Sequence, residues 1–267
     1  MVKSFHQKGS ALITALFIMT MIAIAATAMS NRLHLDIFRA RMTITSDKMY
    51  LASQAVTFWS MDYLSQKKLE TDFGKSISFP ASTFKSIYPE MSVTGYLYDL
   101  QGKFNINNLS NSKYIIIFDN LLTSVLPELS PRDRRNLIKS IQEWISDYTP
   151  GKGQNDLLEF YQTQNPPYQP GYQLFKSVSE LRLIKGVDDK KFNALLPYLT
   201  ALPEVTAINI NAASLKILES LSTDIDQNKA QKIMSFIEEN PITSRKELNE
   251  LSKKMNLPVQ ILTFESQ

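Results

Sequence analysis

Ala11 to Met29 is an apolar run of 19 residues, broken only by Thr14, Thr20 and Thr27. As a helix rising about 1.5 Å per residue it would span roughly 28 Å, close to the hydrocarbon thickness of a bilayer. Apolar residues then continue at helical spacing through Leu33, Ile37, Ile44, Leu51, Ala55, Phe58 and Tyr63. Arg32, Asp36, Arg39, Arg41, Asp47 and Lys48 fall between them, so this stretch is amphipathic and leaves the membrane. No glycine occurs between Gly9 and Gly74, and the first proline is Pro80. The pattern predicts one continuous helix over 10–73, with a transmembrane part at 11–29.

Beyond Phe73 the pattern changes. Residues 74–112 read as a β segment: Ser92 to Leu100 alternates as a strand, Gln101-Gly102 turns, and Lys103 to Leu109 alternates as its hairpin partner. Residues 113–205 read as a helical domain. Its helix from Arg132 places Leu137, Ile138, Ile141 and Ile145 on one face, with Ser130 as cap and Pro131 in the first turn. Asp147 to Pro170 reads as a long polar loop, and Ser177 to Leu202 as helix opened by a Ser177/Glu180 capping box. Residues 206–267 read as a second helical hairpin and the opening of a strand. Ser177–Leu199 and Asn211–Ile237 look like a weak internal repeat. The fold class expected is α+β: a long N-terminal helix, a small antiparallel sheet and a large all-α insertion of helical hairpins.

Charge and composition remove most chemistry. Lys+Arg number 29 against 26 Asp+Glu, a net of +3, of which Lys3 and Lys8 supply two. Without cysteine there is no disulfide framework, thiolate metal site or Cys nucleophile. The two histidines are His6 and His34, so the body has neither a His base nor a His-based zinc site. No P-loop or G-x-S-x-G is present, and no enzyme is expected. The hairpins resemble helix-hairpin-helix modules, which bind DNA phosphates through a Gly-x-Gly turn, but only Gly186 is there. Residues 177–267 carry 11 Lys/Arg and 12 Asp/Glu, so no nucleic-acid partner is expected. Two readings of the N-terminus stay open: a retained anchor, or a signal sequence removed at Ala26-Thr27-Ala28, which would leave a secreted adaptor.

Lys8-Gly9-Ser10-Ala11-Leu12-Ile13 resembles a type IV prepilin cleavage site, with a basic leader (1–9), glycine at the cut and an apolar helix after it. Most pilins and pseudopilins have Glu at the fifth mature position. Here that position is Thr14, as in the K-type minor pseudopilin of type II secretion, GspK. Asp99-Leu100-Gln101-Gly102-Lys103-Phe104-Asn105-Ile106-Asn107-Asn108-Leu109 resembles the GspK stretch D-x-x-G-(K/R)-(F/I)-N-(L/I)-N-x-L. Val178 to Val187, Leu195 to Pro203 and Ile208 to Ala213 continue the family's motifs in order.

The resemblance implies a pilin-like fold with a SAM-like or helix-hairpin-helix insertion, anchored once in the bacterial inner membrane. The N-terminus would be cytoplasmic and the globular part periplasmic. Prepilin peptidase would cut between Gly9 and Ser10. The partners implied are the I- and J-type minor pseudopilins and other pseudopilins, with a place at the pseudopilus tip in protein export. It also implies a candidate calcium site at Asp147, Asn155 and Asp156. Calcium-binding members carry acids two and four positions after the tryptophan, where this chain has Ser146 and Tyr148. An Asx-turn loop without metal is the competing reading. The chain ends at Leu262 to Gln267, like the opening of a returning pilin strand; either the sequence is truncated or part of the sheet is missing.

Overall fold

The structure is a computed structural model and describes residues 8–65, 76–80, 92–147 and 155–266. It divides into two units, residues 1–65 with 79–95, and residues 66–78 with 96–267.

The first unit is built on α1, a single helix of 58 residues from Lys8 to Ser65. Nothing in this stretch breaks a helix. The threonines inside the apolar run turn their hydroxyls back on their own backbone: Thr14 donates to the Ser10 carbonyl at 2.7 Å and Thr27 to that of Ala23 at 2.8 Å. That satisfies a polar group where lipid offers no partner. Near its end α1 packs within its own unit. The Trp59 ring meets Phe79 edge-on at 5.5 Å. Gly95 lies so close to Val56 that a Cβ there would stand 2.5 Å from Cγ1.

The second unit starts with a two-residue antiparallel pair, β1 (Ile77–Ser78) with β2 (Tyr96–Leu97). Two parallel pairs follow. β3 (Phe104–Asn105) runs beside β4 (Leu199–Thr200), and β5 (Ile208–Asn209) beside β6 (Leu262–Thr263). The helices are α2 (Ile115–Val125), α3 (Pro131–Ile145), α4 (Asn155–Gln162), α5 (Asp189–Leu195), α6 (Leu215–Ser220), α7 (Gln227–Glu239) and α8 (Arg245–Met255). α3 begins as its sequence requires, with Pro131 in the first turn and the Ser130 hydroxyl accepting from Asp133 N. One hydrophobic core runs through the unit. Phe104, Phe118, Leu121, Ile141, Ile217 and Leu248 have no exposed surface, and the Phe104 and Phe118 rings stack at 5.1 Å.

Several sequence expectations are corrected here. No hairpin joins 92–100 to 103–109, because side chains bend the chain first. Asp99 accepts from Gln101 N at 2.9 Å and Asn105 from Asn107 N at 3.2 Å, folding 100–102 and 106–110 into 3₁₀ turns. Phe104–Asn105 pairs instead with a strand some 95 residues on (199 − 104). α4 lies inside the expected polar loop. The helix expected over 177–202 is broken at Gly186, whose φ of +92° is left-handed. Its capping box does form, but on a 3₁₀ turn, Val178–Leu183.

The internal repeat is real but differently registered. Each copy runs strand, Asn-x-Asn turn, helices, a capping serine with a glutamate three residues on, and a closing parallel strand. β3, α2, α3, Ser177/Glu180 and β4 correspond to β5, α6, α7, Ser244/Glu247 and β6. In both copies this glutamate accepts from the residue before the capping serine: Lys176 N to Glu180 at 2.9 Å, Thr243 N to Glu247 at 2.8 Å. The final strand β6 therefore closes the second copy.

Candidate functional site

Two sets of residues carry the functional signal, the start of α1 and the asparagine-rich turns of the body. Gly9 and Ser10 lie in the first turns of α1, and Ser10 is exposed. Thr14 is one turn on, its hydroxyl bonded to Ser10. The helix is long and apolar enough to cross a membrane, and its most apolar window has none of its surface buried. A side chain that is satisfied within its own helix needs no partner in lipid, unlike a carboxylate at that place.

In the body, Asn105, Asn107 and Asn108 are almost wholly buried. Each holds a distant piece of main chain with both ends of its amide. Asn107 donates to the carbonyls of Phe175 (3.0 Å) and Leu202 (2.7 Å), and accepts from Phe175 N at 2.7 Å. Asn105 donates to the Glu204 carbonyl at 2.7 Å and accepts from Leu202 N at 3.1 Å. Asn108 exchanges a pair of bonds with Thr206, at 2.8 and 2.9 Å. The second copy repeats the device. Asn211 donates to Ile242 and Phe264 carbonyls at 2.8 and 3.0 Å, and accepts from Ile242 N at 3.0 Å. Phe175 and Ile242 each stand two residues before a capping serine, so the clamps are equivalent. Gly102 lets the first copy touch the second: a Cβ there would lie 2.3 Å from the Ala212 carbonyl oxygen. The sequence suggests only that Asn and Asp tie their own turns. Their long-range work has a signal in the spacing, the Asn-x-Asn that recurs at 105–107 and 209–211 after an apolar residue.

The calcium candidate is less complete. Asp147 is exposed just past α3, and the Ser146 hydroxyl is engaged with the Glu143 carbonyl at 3.1 Å. Residues 148–154 and the side chains of Asn155 and Asp156 lie outside the described residues, where the call therefore falls. Among the described residues no three acidic or histidine side chains form a metal cluster. Asp147 alone does not supply the several oxygens that calcium takes. Beside this loop the Trp144 indole is buried, and Gly171 lies against its Nε1. Burial of Tyr161, which is 1 % exposed, pushes its phenol up to about 12.

Residues 102–204 match the family model described as type II secretion system (T2SS), protein K. Through that segment the chain resembles protein K of type II secretion. The matched segment runs from Gly102 through β4 to Glu204, which is the first copy together with the Asn105 and Asn107 clamps. Type II secretion system protein K of Pseudomonas aeruginosa is 26 % identical over 251 residues, covering 85 % of this chain and 72 % of the relative. The Aeromonas hydrophila protein of that name is 29 % identical over 230 residues, covering 77 % and 67 %. The fold is similar to a crystal structure described as the GspK-GspI-GspJ complex of enterotoxigenic Escherichia coli. There the TM-score is 0.55 at 19 % identity, over 84 % of this chain and 85 % of the other. Among the described residues one helix, at the N-terminus, is long and apolar enough to cross a membrane.

Proposed function

We propose that this minor pseudopilin sits at the tip of the type II pseudopilus and initiates its assembly, working by packing and not by catalysis. The observation that carries the reading is Thr14, an uncharged side chain bonded to Ser10 in the apolar part of α1. In a subunit cut by prepilin peptidase between Gly9 and Ser10, Thr14 is fifth. A glutamate there would be unstable in lipid until it met the amine of a subunit already in place. Thr14 gains nothing from a subunit above it, so the chain can stand first. The bulk of the helical body would block further stacking.

The helix would be anchored in the inner membrane with its N-terminus cytoplasmic and the body periplasmic. Its partners would be the I- and J-type minor pseudopilins, as the described GspK complex suggests. Support for export across the outer membrane would follow from that place in the assembly. The test is co-purification of the full chain in detergent with those two partners, alongside secretion assays of Thr14→Glu. Recovery of the ternary complex and impaired secretion with Thr14→Glu are expected. No complex, with secretion intact in a deletion strain, would leave only an anchored adaptor. Calcium in the loop after Trp144 is tested by melting with EDTA. With acids missing at Ser146 and Tyr148, an unchanged melting temperature is expected, and a fall would establish the cation.

A further inference from the structure

Where α1 leaves its apolar run, the charge is concentrated and mostly of one sign. Between Met29 and Asp47 stand Arg32, Arg39 and Arg41 against a single acid, Asp36. All four are exposed. Asp36 reaches Arg39 at 3.6 Å with both side chains in the open, a contact of little strength. Arg32 lies three residues past Met29, about 4.5 Å along the axis, inside the roughly 5–7 Å headgroup layer of one leaflet. Arg39 and Arg41 start about 15–18 Å out. A helical side chain tilts toward the N-terminus of its helix, here toward the bilayer, and the long arginine stem carries its charge farther back. Both therefore come within about a Debye length, roughly 8–10 Å, of the headgroup surface.

The angular placement decides what the anion is. With 3.6 residues per turn, Arg32 and Arg39 stand on one side of α1, and Arg41 stands on the opposite side with His34. A protein partner covers one side of a helix, whereas headgroups surround a membrane helix on all sides. Leu33, Leu35 and Phe38 are exposed between the arginines, so apolar surface continues into the layer where arginine stems also lie. The charge also runs against ordinary topology. Basic residues within about 15–20 residues of a span favour the cytoplasmic side. In the proposed orientation Arg32, Arg39, Arg41 and Lys48 are on the other side, and a chain cut after Gly9 keeps no Lys or Arg ahead of Ala11. Their concentration there calls for a role of its own. We infer that Arg32, Arg39 and Arg41 form a cationic collar that binds anionic phospholipid headgroups, of the phosphatidylglycerol kind, at the leaflet from which α1 emerges.

This inference rests on the anchoring proposed for α1 and does not depend on a place at the tip. The full chain is reconstituted in phosphatidylcholine vesicles holding traces of spin-labelled phosphatidylglycerol or spin-labelled phosphatidylcholine. Electron paramagnetic resonance reads the fraction of each label immobilised at the protein. A preference of about fivefold for phosphatidylglycerol is expected, the effect of one basic side chain near an anionic surface. Arg32→Gln, Arg39→Gln and Arg41→Gln together should abolish it. Arg32→Lys, Arg39→Lys and Arg41→Lys together should keep it, because the collar acts by charge. Inorganic phosphate exchanged for chloride at equal ionic strength should leave the preference in place, and its loss would assign the arginines to free phosphate and overturn the inference. Equal immobilisation of the two lipids, or a preference that survives the glutamine variant, overturns it while α1 stays anchored. Release of the unaltered chain from the vesicles by alkaline carbonate overturns the anchoring reading and this inference together.

Discussion

The two units handle their interior-type residues in opposite ways. In the body even asparagines are buried, and each amide is matched at both ends to main chain. In α1 large apolar side chains stand open along most of 58 residues, among them Phe17, Ile22, Phe38, Ile44 and Phe58. Such exposure is not stable surface for a monomer in water. The second unit buries its own core, whereas α1 leaves its apolar surface open and is long and apolar enough to cross a membrane.

The contrast is most easily broken in the core. Phe118 is fully buried and stacked on Phe104, so Phe118→Ala should destabilise the body by about 3–5 kcal/mol in denaturant melts. Next come the clamps. Asn107→Ala would leave Phe175 N and the Phe175 and Leu202 carbonyls without partners, at roughly 1–3 kcal/mol for each group that water cannot reach. Asn211→Ala removes an equivalent set at a half-buried place, where water can substitute, and should cost less. Equal costs would mean that the two copies are not graded by burial.

A smaller effect follows from Tyr161, whose phenol rises from its ordinary 10.0 to about 12 through burial. A raised pKa favours the protonated folded form. The stability it confers is fully present below pH 10 and is lost as pH climbs toward 12. Tyr161→Phe should flatten that part of the pH profile, and a profile of unchanged slope would speak against burial as the cause. Smallest of all, Ile44→Ser on the exposed face of α1 should shift the body's melting by under about 0.5 kcal/mol.

How much of this was legible in the sequence depended on the range of the interactions. α1 and α3 are written in local rules: an absence of breakers, helical spacing, Ser130 and Pro131 at a start. The short strands were not legible. Phe104–Asn105 and Ile208–Asn209 are two-residue elements whose partners lie far along the chain, and local alternation made the first look like half of a hairpin. The same distance hid the clamps, because an asparagine's sequence neighbours do not reveal that its amide reaches Phe175 or Leu202. The repeat was seen but set in the wrong register, since the segment from Ser146 to Lys176 separates α3 from its capping box in one copy, where only 240–243 intervene in the other. The proposed leader and the role proposed for Thr14 rest on position alone.

The central claim is that α1 is a pilin-type helix, cut once at its start and then kept whole. N-terminal sequencing of the protein extracted from membranes tests it most directly. The account predicts a chain that begins at Ser10 and reads Ser-Ala-Leu-Ile, with α1 intact behind it. A chain that begins at Met29 would show removal after Ala28 by an ordinary signal peptidase, and would contradict the account.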